Sequence, residues 1–563
     1  MDTFNGIGVS PGVALGVSVI PDRAEIRLPH FADAGDAFET ALAVAAEHLR
    51  VLARAALDAG RQEAGDILEV QALLVEDPML ADSVSNHLGR GHSLDQALDK
   101  AVSTLSELLA GSGEEVMAER SVDLAEAVDA IRRALAGVNE PPSVVMDEPG
   151  VLIADELSVA EAARLQPDLV LGIITRGGGP TGHVAIVARS LGIPAVVGVV
   201  GLSPASCAGS RVAMDGTTGE VFIEPDSVVW DDYRKRQDDF RQVTALASRY
   251  RGTRIRCLDR ELHVAANVGG PADIELAQAQ GADGIGLFRT EFLFYDRESP
   301  PTEEEQFEIY ALAASAFSLP VVCRTFDFGG DKPISYLPLP DEENPALGLR
   351  GIRLYKDCNK LFRTQVRALL RAATEGDIWI LLPMVSTVGE FCEIRAEIES
   401  VRDALITDLV PVGSAVVGAM VEVPSAAVCS HLLAQHADFL SIGTNDLTQY
   451  TMAADRTSGS LVDYSDALHP AVFELTRLSV ESANAAGIPV SVCGMSAANP
   501  IASALYVACG VDKLSVEPSQ INLVKANLAE MDVGQVVPVL RQAAGCVNAA
   551  ELRQMAEDLV TLR

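Results

Sequence analysis

The stretch LHVAANVGGPADIELAQAQGADGIGLFRTEFLF, residues 262–294, holds two apolar segments on either side of a helical one. The outer segments, LHVAANV and GADGIGLFRTEFLF, are nearly continuous in apolar residues, which is typical of parallel strands covered on both faces. The segment between them, PADIELAQAQ, has the composition and spacing of a short helix. A strand, a helix and a second strand in this order predict one repeat of an α/β fold.

The same alternation continues over residues 255–563. Helical spacers such as FRTQVRALLRAATE separate most of the further strand-like segments. These segments are LPVVCRTFDFGG, IWILLPMVS, AVVGAMVEVPS, DFLSIGTNDL, IPVSVCGMS and DKLSVEP. Eight such strands alternating with helices predict a C-terminal (β/α)8 TIM barrel.

The chain ahead of the barrel predicts a second α/β domain. Residues 1–22 and 143–225 carry short β-branched runs with helical segments between them, and residues 7–20 predict one strand. Residues 226–254 are charged with a thin apolar stripe, which predicts a linker helix between two bodies. The chain is therefore expected to be an α/β multidomain protein.

A helical segment interrupts this first α/β domain. Residues 23–142 are rich in Ala, Leu and Glu with helical spacing, and they predict an inserted bundle of roughly four helices. Ser93 and Gln96 have the spacing of a capping box at a helix start. The predicted breaks between helices lie at Asp77–Pro78, near Gly89–Gly91 and at Gly111–Gly113.

Composition limits the partners. The 563 residues include 43 Lys and Arg against 79 Asp and Glu, a formal net charge of −36. This charge argues against nucleic acid and anionic membranes as partners, and it suits either a basic protein partner or solubility alone. Nine cysteines without a C-x-x-C pair, and no apolar run of transmembrane length, indicate a cytoplasmic protein without a disulfide framework or a zinc site.

Polar residues follow the predicted barrel strands where each strand ends. The active sites of such barrels lie at the carboxyl ends of the strands. A single charged residue there would be a structural ion pair, but many on one rim favour a ligand site. The residues concerned are Arg289, Arg324, Asp327, Lys332, Arg350, Glu422, Asn445, Asp446, Arg456 and Cys493.

The residue types on this rim indicate its chemistry. Several arginines suit a ligand with phosphate and carboxylate groups, because guanidinium binds both through paired hydrogen bonds. Glu422 and Asp446, without a His or Cys pair, suit Mg²⁺ that shares its coordination with substrate oxygens. Cys493 is a proton donor, a nucleophile or a small buried hydrophobe. The rim therefore predicts a site for a small phosphorylated anion carrying magnesium.

A second candidate lies in ITRGGGPTGHVAIVARSLGIPAVVG, residues 174–198. His183 follows a glycine-rich loop and begins an apolar helical segment. Backbone N–H groups and the helix dipole favour a phosphate group at a helix N-terminus. His183 is thus either a phosphoryl carrier or a buried histidine that fills space, and the phosphate-binding barrel in the same chain favours the carrier.

These motifs resemble those of the Enzyme I family of the bacterial phosphotransferase system. The similarity covers essentially the full length through GIGVSPGVALG, GGGPTGHVAIVARSLGIPAVVG, GIGLFRTEFLF, RTFDFGGDKPISYLPLPDEENPALGLRGIR, FLSIGTNDLTQYTMAADR and VCGM. The resemblance implies a swivelling α/β phosphohistidine domain and an inserted helical domain that docks the carrier protein HPr. It also implies a barrel that binds phosphoenolpyruvate and forms a homodimer.

The resemblance further implies a reaction and residue roles. His183 would take the phosphoryl group of phosphoenolpyruvate on Nε2 and pass it to HPr, in the first step of sugar uptake. Cys493 would protonate the departing enolate to give pyruvate, and Glu422 and Asp446 would hold Mg²⁺. The residues implied to bind phosphoenolpyruvate are Arg289, Arg324 and Arg456, with Asn445 and Asp446 assisting and Lys332 and Arg350 at further matching positions.

Three features depart from the family pattern. Pro180 and Gly182 stand where a basic residue and a serine usually precede the histidine. Met495 stands where Glu commonly follows the cysteine, and SAANP differs from the usual glycine-rich segment. These departures keep a non-catalytic regulator that binds phosphoenolpyruvate or HPr as an alternative. A relative of phosphoenolpyruvate synthase or pyruvate phosphate dikinase is a second alternative, but it would need a large ATP-binding domain ahead of the histidine.

Overall fold

The computed structural model describes the chain except residues 22–25, 27, 30, 32, 59–61, 111–115, 139–145, 147, 163, 180–181, 296, 298, 330–333, 335, 338–341, 415, 456–460, 462–463 and 560–563. At residues 58, 62–64, 66, 107–110, 116–122, 183, 186 and 190 it describes the backbone alone. The described residues form two compact units, Met1–Gln242 and Val243–Arg563. No helix among them is long and apolar enough to cross a membrane.

The first unit contains a mixed sheet in the order β1-β8-β7-β3-β4-β5-β6-β2. The strands β3, β4, β5 and β6 run parallel, and the pairs β1–β8, β8–β7, β7–β3 and β6–β2 are antiparallel. The strands are β1 (Asp2–Asn5), β2 (Ile7–Ser10), β3 (Val13–Val19), β4 (Gly150–Ala154), β5 (Val170–Thr175), β6 (Ala195–Val197), β7 (Arg211–Asp215) and β8 (Glu220–Ile223).

The expected single strand over residues 7–20 is two strands. β2 pairs with β6 at an edge of the sheet, whereas β3 lies between β7 and β4. Pro11 and Gly12 separate them, and Gly12 has a φ of +131°, which L side chains rarely adopt. A Cβ at Gly12 would also lie 2.8 Å from Pro194 Cγ. The turn at Gly12 is therefore why the prediction of one continuous strand was wrong.

Five helices are described in the insertion after β3. Along the first of them, buried Phe38, Ala41, Ala45, Leu49 and Ala53 recur every three or four residues, which gives one apolar face. This face belongs to a hydrophobic core that all five helices share. The helices are α1 (Ala34–Asp58), α2 (Gln62–Val75), α3 (Pro78–Gly89), α4 (Leu94–Ala110) and α5 (Val116–Leu135).

Two of the predicted breaks between helices and the predicted capping box are present in the inserted helices. The Asp77 side chain accepts a hydrogen bond from Met79 N at 2.7 Å, so the predicted break before Pro78 is confirmed. The capping box is confirmed, because Ser93 Oγ accepts from Gln96 N and Gln96 Oε1 accepts from Ser93 N. The break at Gly89–Gly91 is confirmed, and the break at 111–113 lies outside the described residues. The division between α1 and α2 was not predicted.

Four further helices complete the first unit and lead out of it. Gly192 ends the helix of His183–Leu191 in the left-handed conformation, with a φ of 65°. The helices are α6 (Val159–Ala162), α7 (His183–Leu191), α8 (Pro204–Cys207) and α9 (Ser227–Arg249). The last of these continues in sequence across the division between the two units.

The second unit is a closed barrel of eight parallel strands, β10 to β17, which confirms the predicted TIM barrel. Each strand pairs with the next, and β10 closes the barrel by pairing with both β11 and β17. A short strand, β9, is antiparallel to β10. The strands are β9 (Ile255–Cys257), β10 (Arg260–Val268), β11 (Ile285–Arg289), β12 (Val321–Arg324), β13 (Ile378–Leu382), β14 (Val416–Val421), β15 (Leu440–Ile442), β16 (Val490–Val492) and β17 (Lys513–Val516).

Helices surround this barrel, and two of them, α11 and α13, begin with complete capping boxes. The helices are α10 (Pro271–Ala279), α11 (Glu303–Ala316), α12 (Asn359–Ala372), α13 (Val388–Thr407), α14 (Pro424–Val428), α15 (Ser430–Leu433), α16 (Thr444–Met452), α17 (Pro470–Ala486), α18 (Pro500–Cys509), α19 (Ile521–Glu530) and α20 (Ala549–Glu557). The 3₁₀ segments are Thr290–Leu293, Pro345–Leu347, Gly351–Leu354, Met495–Ala498, Pro518–Gln520, Val533–Arg541 and Ala543–Gly545.

The barrel has two apolar layers. One lies between strands and helices and includes Val490 and Val492 of β16. The other fills the barrel interior and includes Val322, Phe439 and Cys493. Because side chains alternate along a strand, residues that follow the strand ends project from the interior layer toward one rim. This geometry brings side chains from distant parts of the sequence together at the rim.

Candidate active site at the barrel rim

Arg324, the last residue of β12, lies in a cluster of buried charges. Its guanidinium is 3.1 Å from Glu291 Oε2 and 3.7 Å from Asp327 Oδ2. Burial alone would lower the pKa of Arg324, but the negative charges of Glu291 and Asp327 outweigh burial and raise it. Arg324 Nε is buried and has no hydrogen-bond partner among the described residues, so this donor is available to a ligand.

Arg350 extends the same cluster. Its Nη2 and Nε donate to the two carboxylate oxygens of Asp327 at 2.6 and 3.1 Å, which is a bidentate pair. Its Nη1 donates to Tyr450 Oη at 3.2 Å and lies 3.6 Å from Asp446 Oδ1. The Asp327 N–H donates in turn to Glu291 Oε1 at 2.8 Å. The network therefore fixes the loop after β12 against residues of α16.

Glu422 and Asp446 supply the oxygen ligands expected for a cation. Glu422 directly follows β14, and its Oε1 accepts from Met384 N at 2.6 Å. Met384 has a φ of +57°, the left-handed conformation that turns this N–H toward the carboxylate. Burial, and then the negative charges of Asp446 and Asp327, raise the pKa of Glu422 well above its ordinary range.

These two carboxylates fit magnesium as part of its coordination. A divalent cation would relieve the repulsion between the buried carboxylates, and Mg²⁺ prefers oxygen ligands of this kind. Within the described residues no group of three or more His, Cys, Asp or Glu side chains is placed to hold a metal. Glu422 and Asp446 therefore fit a cation whose remaining ligands come from substrate and water.

Cys493 directly follows β16 and faces the barrel interior. Ser441 Oγ donates to its Sγ at 3.2 Å, and the thiol donates weakly to the Ile442 carbonyl oxygen at 3.5 Å. Burial raises the pKa of Cys493 to about 11, against a lowering by the Ser441 hydrogen bond. The protonated thiol is therefore the dominant form at neutral pH, which suits a proton donor better than a nucleophile.

Arg289 and Asn445 lie at the ends of two strands, β11 and β15, that are not neighbours in the barrel. Arg289 ends β11, and its Nη2 is 3.0 Å from Glu517 Oε1, which follows β17. Asn445 lies in the first turn of α16, and its Oδ1 accepts from Met495 N at 2.9 Å. The Met495 side chain itself is 73 % exposed. The substitution at this position thus leaves the backbone hydrogen bond beside Cys493 in place.

The unusual segment after Met495 has its own hydrogen bonds. Ser496 Oγ lies 2.7 Å from Thr444 Oγ1 and accepts from Tyr506 Oη at 2.9 Å. Asn499 caps α18 by accepting from the N–H groups of Ile501 and Ala502. The segment SAANP therefore anchors this loop and starts the next helix, although it differs from the family pattern.

His183 is the first residue of α7, as the sequence indicated. Gly182 precedes it as the N-cap, with a φ of −65° and a ψ of 159°. The Gly182 carbonyl oxygen accepts from Ala185 N at 2.9 Å. The His183 side chain and the whole of Pro180 lie outside the described residues. What is described is a helix N-terminus at His183, with the helix dipole directed as a phosphoryl group requires.

The structure brings most of the predicted rim residues together. Two of them, Lys332 and Arg456, lie outside the described residues. Three contributors were not predicted from the sequence. Glu291 was readable in FRTE, two positions after Arg289, and Tyr450 follows Asp446 by one helical turn. The N–H of Met384 had no sequence signal, because it depends on a local backbone conformation.

Three family models match the chain. They describe PEP-utilising enzymes: the N-terminal domain over residues 5–120, the mobile domain over 146–219 and the PEP-binding domain over 251–533. The last match covers the whole rim.

Relatives match along nearly the whole length. A phosphoenolpyruvate-protein phosphotransferase of Streptomyces coelicolor is 38% identical over 569 residues, covering 99% of this chain and 99% of its own length. A protein of the same name from Haloferax volcanii is 38% identical over 576 residues, covering 100% of this chain and 99% of its own. Another from Geobacillus stearothermophilus is 36% identical over 538 residues, covering 94% and 93%.

Proposed function

This chain belongs to the phosphoenolpyruvate-protein phosphotransferase family, and we propose that it moves the phosphoryl group of phosphoenolpyruvate to His183 and then to a histidine of HPr. Pyruvate is the second product, and the transfer is the first step of sugar uptake by the phosphotransferase system. The observation that carries this proposal is the buried rim cluster of Arg324, Arg350, Glu422 and Asp446 within the region that matches the PEP-binding domain.

The rim arginines bind the substrate. Phosphoenolpyruvate carries a phosphate and a carboxylate, and Arg324 offers an unused buried donor for one of them. Arg289 and Arg456 bind the remaining oxygens, and Asn445 and Asp446 assist them. Lys332 and Arg350 contribute further positive charge to substrate binding. Because Arg350 is already fixed by Asp327, it holds its charge in place before the substrate arrives.

Glu422 and Asp446 would hold Mg²⁺. When bound, the ion supplies positive charge at the phosphoryl and enolate oxygens. The carboxylates are positioned for this by the Met384 N–H and by the Arg350 guanidinium. The raised pKa of Glu422 also predicts that magnesium binding releases protons.

Two side chains of the protein exchange bonds or protons with the substrate. His183 Nε2 attacks phosphorus in line, and the bond between phosphorus and the enol oxygen breaks with its electron pair moving to the enolate. Cys493 then gives its thiol proton to the methylene carbon of the enolate, which yields pyruvate and a thiolate. The α7 N-terminus stabilises the phosphoryl group on His183.

The other parts of the chain serve transfer and assembly. The inserted helices α1–α5 dock HPr, and the barrel forms a homodimer. His183 must reach the rim for one transfer and HPr for the other, which requires the phosphohistidine domain to swivel. The cysteines are all free, which supports a cytoplasmic location. Pro180 and Gly182 differ from the family pattern before His183, and the histidine itself is present.

One assay separates this function from a regulator that only binds phosphoenolpyruvate or HPr. The protein is incubated with Mg²⁺, ³²P-labelled phosphoenolpyruvate and HPr, and label on HPr is followed together with pyruvate. The wild type is expected to label HPr and release pyruvate in equal amounts, and His183→Ala is expected to do neither. Binding without pyruvate release by the wild type would support the regulator and refute phosphotransfer.

A further inference from the structure

A row of polar side chains crosses the barrel interior below the rim. Ser441 of β15 is the register partner of Ser491 of β16, and Ser491 is the partner of Lys513 of β17. Lys513 is in turn the partner of His263 of β10. All four residues thus lie at one level on four adjacent strands. None of them belongs to the rim cluster of charges.

Hydrogen bonds join one end of this row to Cys493. Ser491 Oγ donates to Ser441 Oγ at 3.1 Å, and Ser441 Oγ donates to Cys493 Sγ at 3.2 Å. Both serines are buried, with exposures of 6% and 0%. A hydroxyl donates one proton and accepts another, so each serine can pass a proton on without a change of charge. The donors all point toward the sulfur.

The other end of the row opens into a cavity. The cavity has a volume of about 460 Å³ and is lined by Ser491, Lys513, His263, Trp379 and Asp512 among others. Several lining residues lie where strands begin, so the cavity is at the amino-terminal mouth of the barrel, opposite the rim. It is large enough, and polar enough on one side, to hold several water molecules. Ser491 is therefore the link between this mouth and the thiol.

Groups that carry protons line the mouth. The ammonium group of Lys513 lies 5.4 Å from the centre of the Trp379 ring, and it has no carboxylate within ion-pair distance among the described residues. Burial lowers the pKa of Lys513 to about 8, against raising by Asp377 and Asp512. His263 Nδ1 is buried without a hydrogen-bond partner in the described part of the chain. Such a surface can deliver protons from bulk water to Ser491.

We propose that Ser491 and Ser441 relay a proton from the amino-terminal cavity to Cys493 after each turnover. The relay rests on the proposed role of Cys493 as the proton donor to the enolate. That step leaves a thiolate, which must be protonated before the next substrate reacts. In one concerted transfer, the Ser441 proton moves to sulfur, the Ser491 proton moves to Ser441, and a cavity water gives its proton to Ser491. The hydroxide left in the cavity takes a proton from the Lys513 ammonium, and solvent protonates Lys513 again, so one proton is consumed per pyruvate and no oxidation state changes.

The two sides of the barrel then have separate tasks. Substrate and His183 use the rim, while protons enter from the opposite mouth. Cys493 is 3% exposed, so water has little access to its thiol. Because protons reach Cys493 from the amino-terminal mouth, the rim can exclude bulk water during the reaction. Direct access of water at the rim would allow the phosphoryl group to be lost by hydrolysis.

The test compares first and later turnovers of Ser491→Ala and Ser491→Thr. Neither change touches Cys493, and threonine keeps the hydroxyl. In rapid quench with phosphoenolpyruvate and Mg²⁺, both variants are expected to form the first equivalent of pyruvate at the wild-type rate, because Cys493 starts protonated. With HPr present, turnover of Ser491→Ala is expected to fall about tenfold or more, and that of Ser491→Thr to stay within about twofold of the wild type.

Solvent deuterium gives a second measurement. Protein equilibrated in H₂O is mixed with phosphoenolpyruvate in D₂O, and the methyl group of the first pyruvate is analysed by mass spectrometry. Wild type and Ser491→Thr are expected to incorporate more deuterium than Ser491→Ala, whose thiol exchanges slowly. Ser515→Ala is the matched control, because the Ser515 hydroxyl is also buried in the barrel but donates to Asn267 Oδ1 at 2.7 Å. Its turnover is expected to stay within about twofold of the wild type.

The outcomes distinguish the relay from its premise. Unchanged turnover of Ser491→Ala, an equal loss in its first and later turnovers, or failure of threonine to restore turnover would each overturn the relay. Cys493→Ala tests the premise by itself. If Cys493→Ala forms the first pyruvate at the wild-type rate, Cys493 is not the proton donor and the proposed function of that residue fails. If Cys493→Ala forms pyruvate slowly but the turnover of Ser491→Ala is unchanged, the relay is refuted and the role of Cys493 as proton donor stands.

Discussion

The charges of the rim cluster and the charge of Lys513, at opposite ends of the same barrel, are paired differently. At the carboxyl-end rim, the largely buried Arg324 and the buried Arg350 each have carboxylates within 4 Å, and the pairs form one network. At the amino-end mouth, the ammonium group of Lys513 faces Trp379 instead of a carboxylate. The rim arginines therefore keep their charge through ion pairs, and a substrate can replace some of these pairs. At the mouth, burial lowers the pKa of Lys513 and so favours its neutral form.

Removing a rim charge should have the largest effect. Arg324→Gln is expected to lower kcat/KM for pyruvate formation by about 10³-fold, because it removes a charge at the phosphoryl site and leaves Glu291 without its paired cation, while Asp327 keeps only Arg350. Arg363→Gln is the control, since Arg363 pairs with Glu397 at the barrel surface, where an ion pair contributes little. A loss below tenfold in Arg324→Gln, or an equal loss in Arg363→Gln, would remove the distinction between rim and surface.

Breaking the pair under the rim should have the next largest effect. Asp327→Asn is expected to lower the free energy of unfolding of the barrel by about 4 kcal/mol, because the bidentate pair with Arg350 is buried and its loss leaves an uncompensated charge. Urea unfolding followed by fluorescence measures the change. A difference below about 1 kcal/mol would show that Asp446, which already lies 3.6 Å from Arg350 Nη1, compensates the arginine without Asp327.

Removing the charge of Lys513 at the amino-terminal mouth should increase the free energy of unfolding, whereas removing a charge under the rim should decrease it. The pKa of Lys513 is lowered from 10.5 to about 8 in the folded chain, so the unfolded chain binds the proton more tightly. Protonated Lys513 therefore destabilises the fold below pH 8, and this penalty disappears as the pH rises from 8 to 10.5. Lys513→Met is expected to raise the free energy of unfolding by about 3 kcal/mol at pH 7, with the gain shrinking over that interval. Destabilisation at pH 7 would mean that the cation contributes more than burial costs.

A substitution at the exposed edge of the rim should have the smallest effect on turnover. Met495→Ala is expected to change turnover by less than about twofold, because the side chain is 73 % exposed and its backbone N–H makes the bond to Asn445. Steady-state turnover with HPr measures this. A loss of tenfold would show that the Met495 side chain takes part in the reaction, and that proximity to Cys493 matters more than burial.

The barrel could be predicted because its signal is local. Each barrel strand is a short apolar run between helical segments, so strand count and order follow from the sequence, and the rule of strand ends points to Arg324, Glu422 and Cys493. The prediction of one continuous strand over residues 7–20 was wrong because the chain turns at Gly12 and enters another part of the sheet. No periodicity reports such a redirection.

The hydrogen-bond and ion-pair partners of each site residue could not be predicted from the sequence. Sequence patterns place Arg350 and Asp327 on one side of the barrel, but only the fold shows that they pair with each other and that Tyr450 joins them. The same limit hid the row from Ser441 to His263, whose members are unremarkable in sequence and meet only through strand register. Contacts across strands depend on register, which the sequence does not state.

The most direct test is to locate the phosphoryl group on the protein. Wild-type protein is incubated with Mg²⁺ and phosphoenolpyruvate without HPr, kept at neutral to alkaline pH, digested and sequenced by tandem mass spectrometry. Phosphotransfer through His183 predicts phosphorylation on the peptide that contains His183, together with one pyruvate per chain, and neither product in His183→Ala. A phosphoryl group on another residue, or unchanged labelling of His183→Ala, would contradict it.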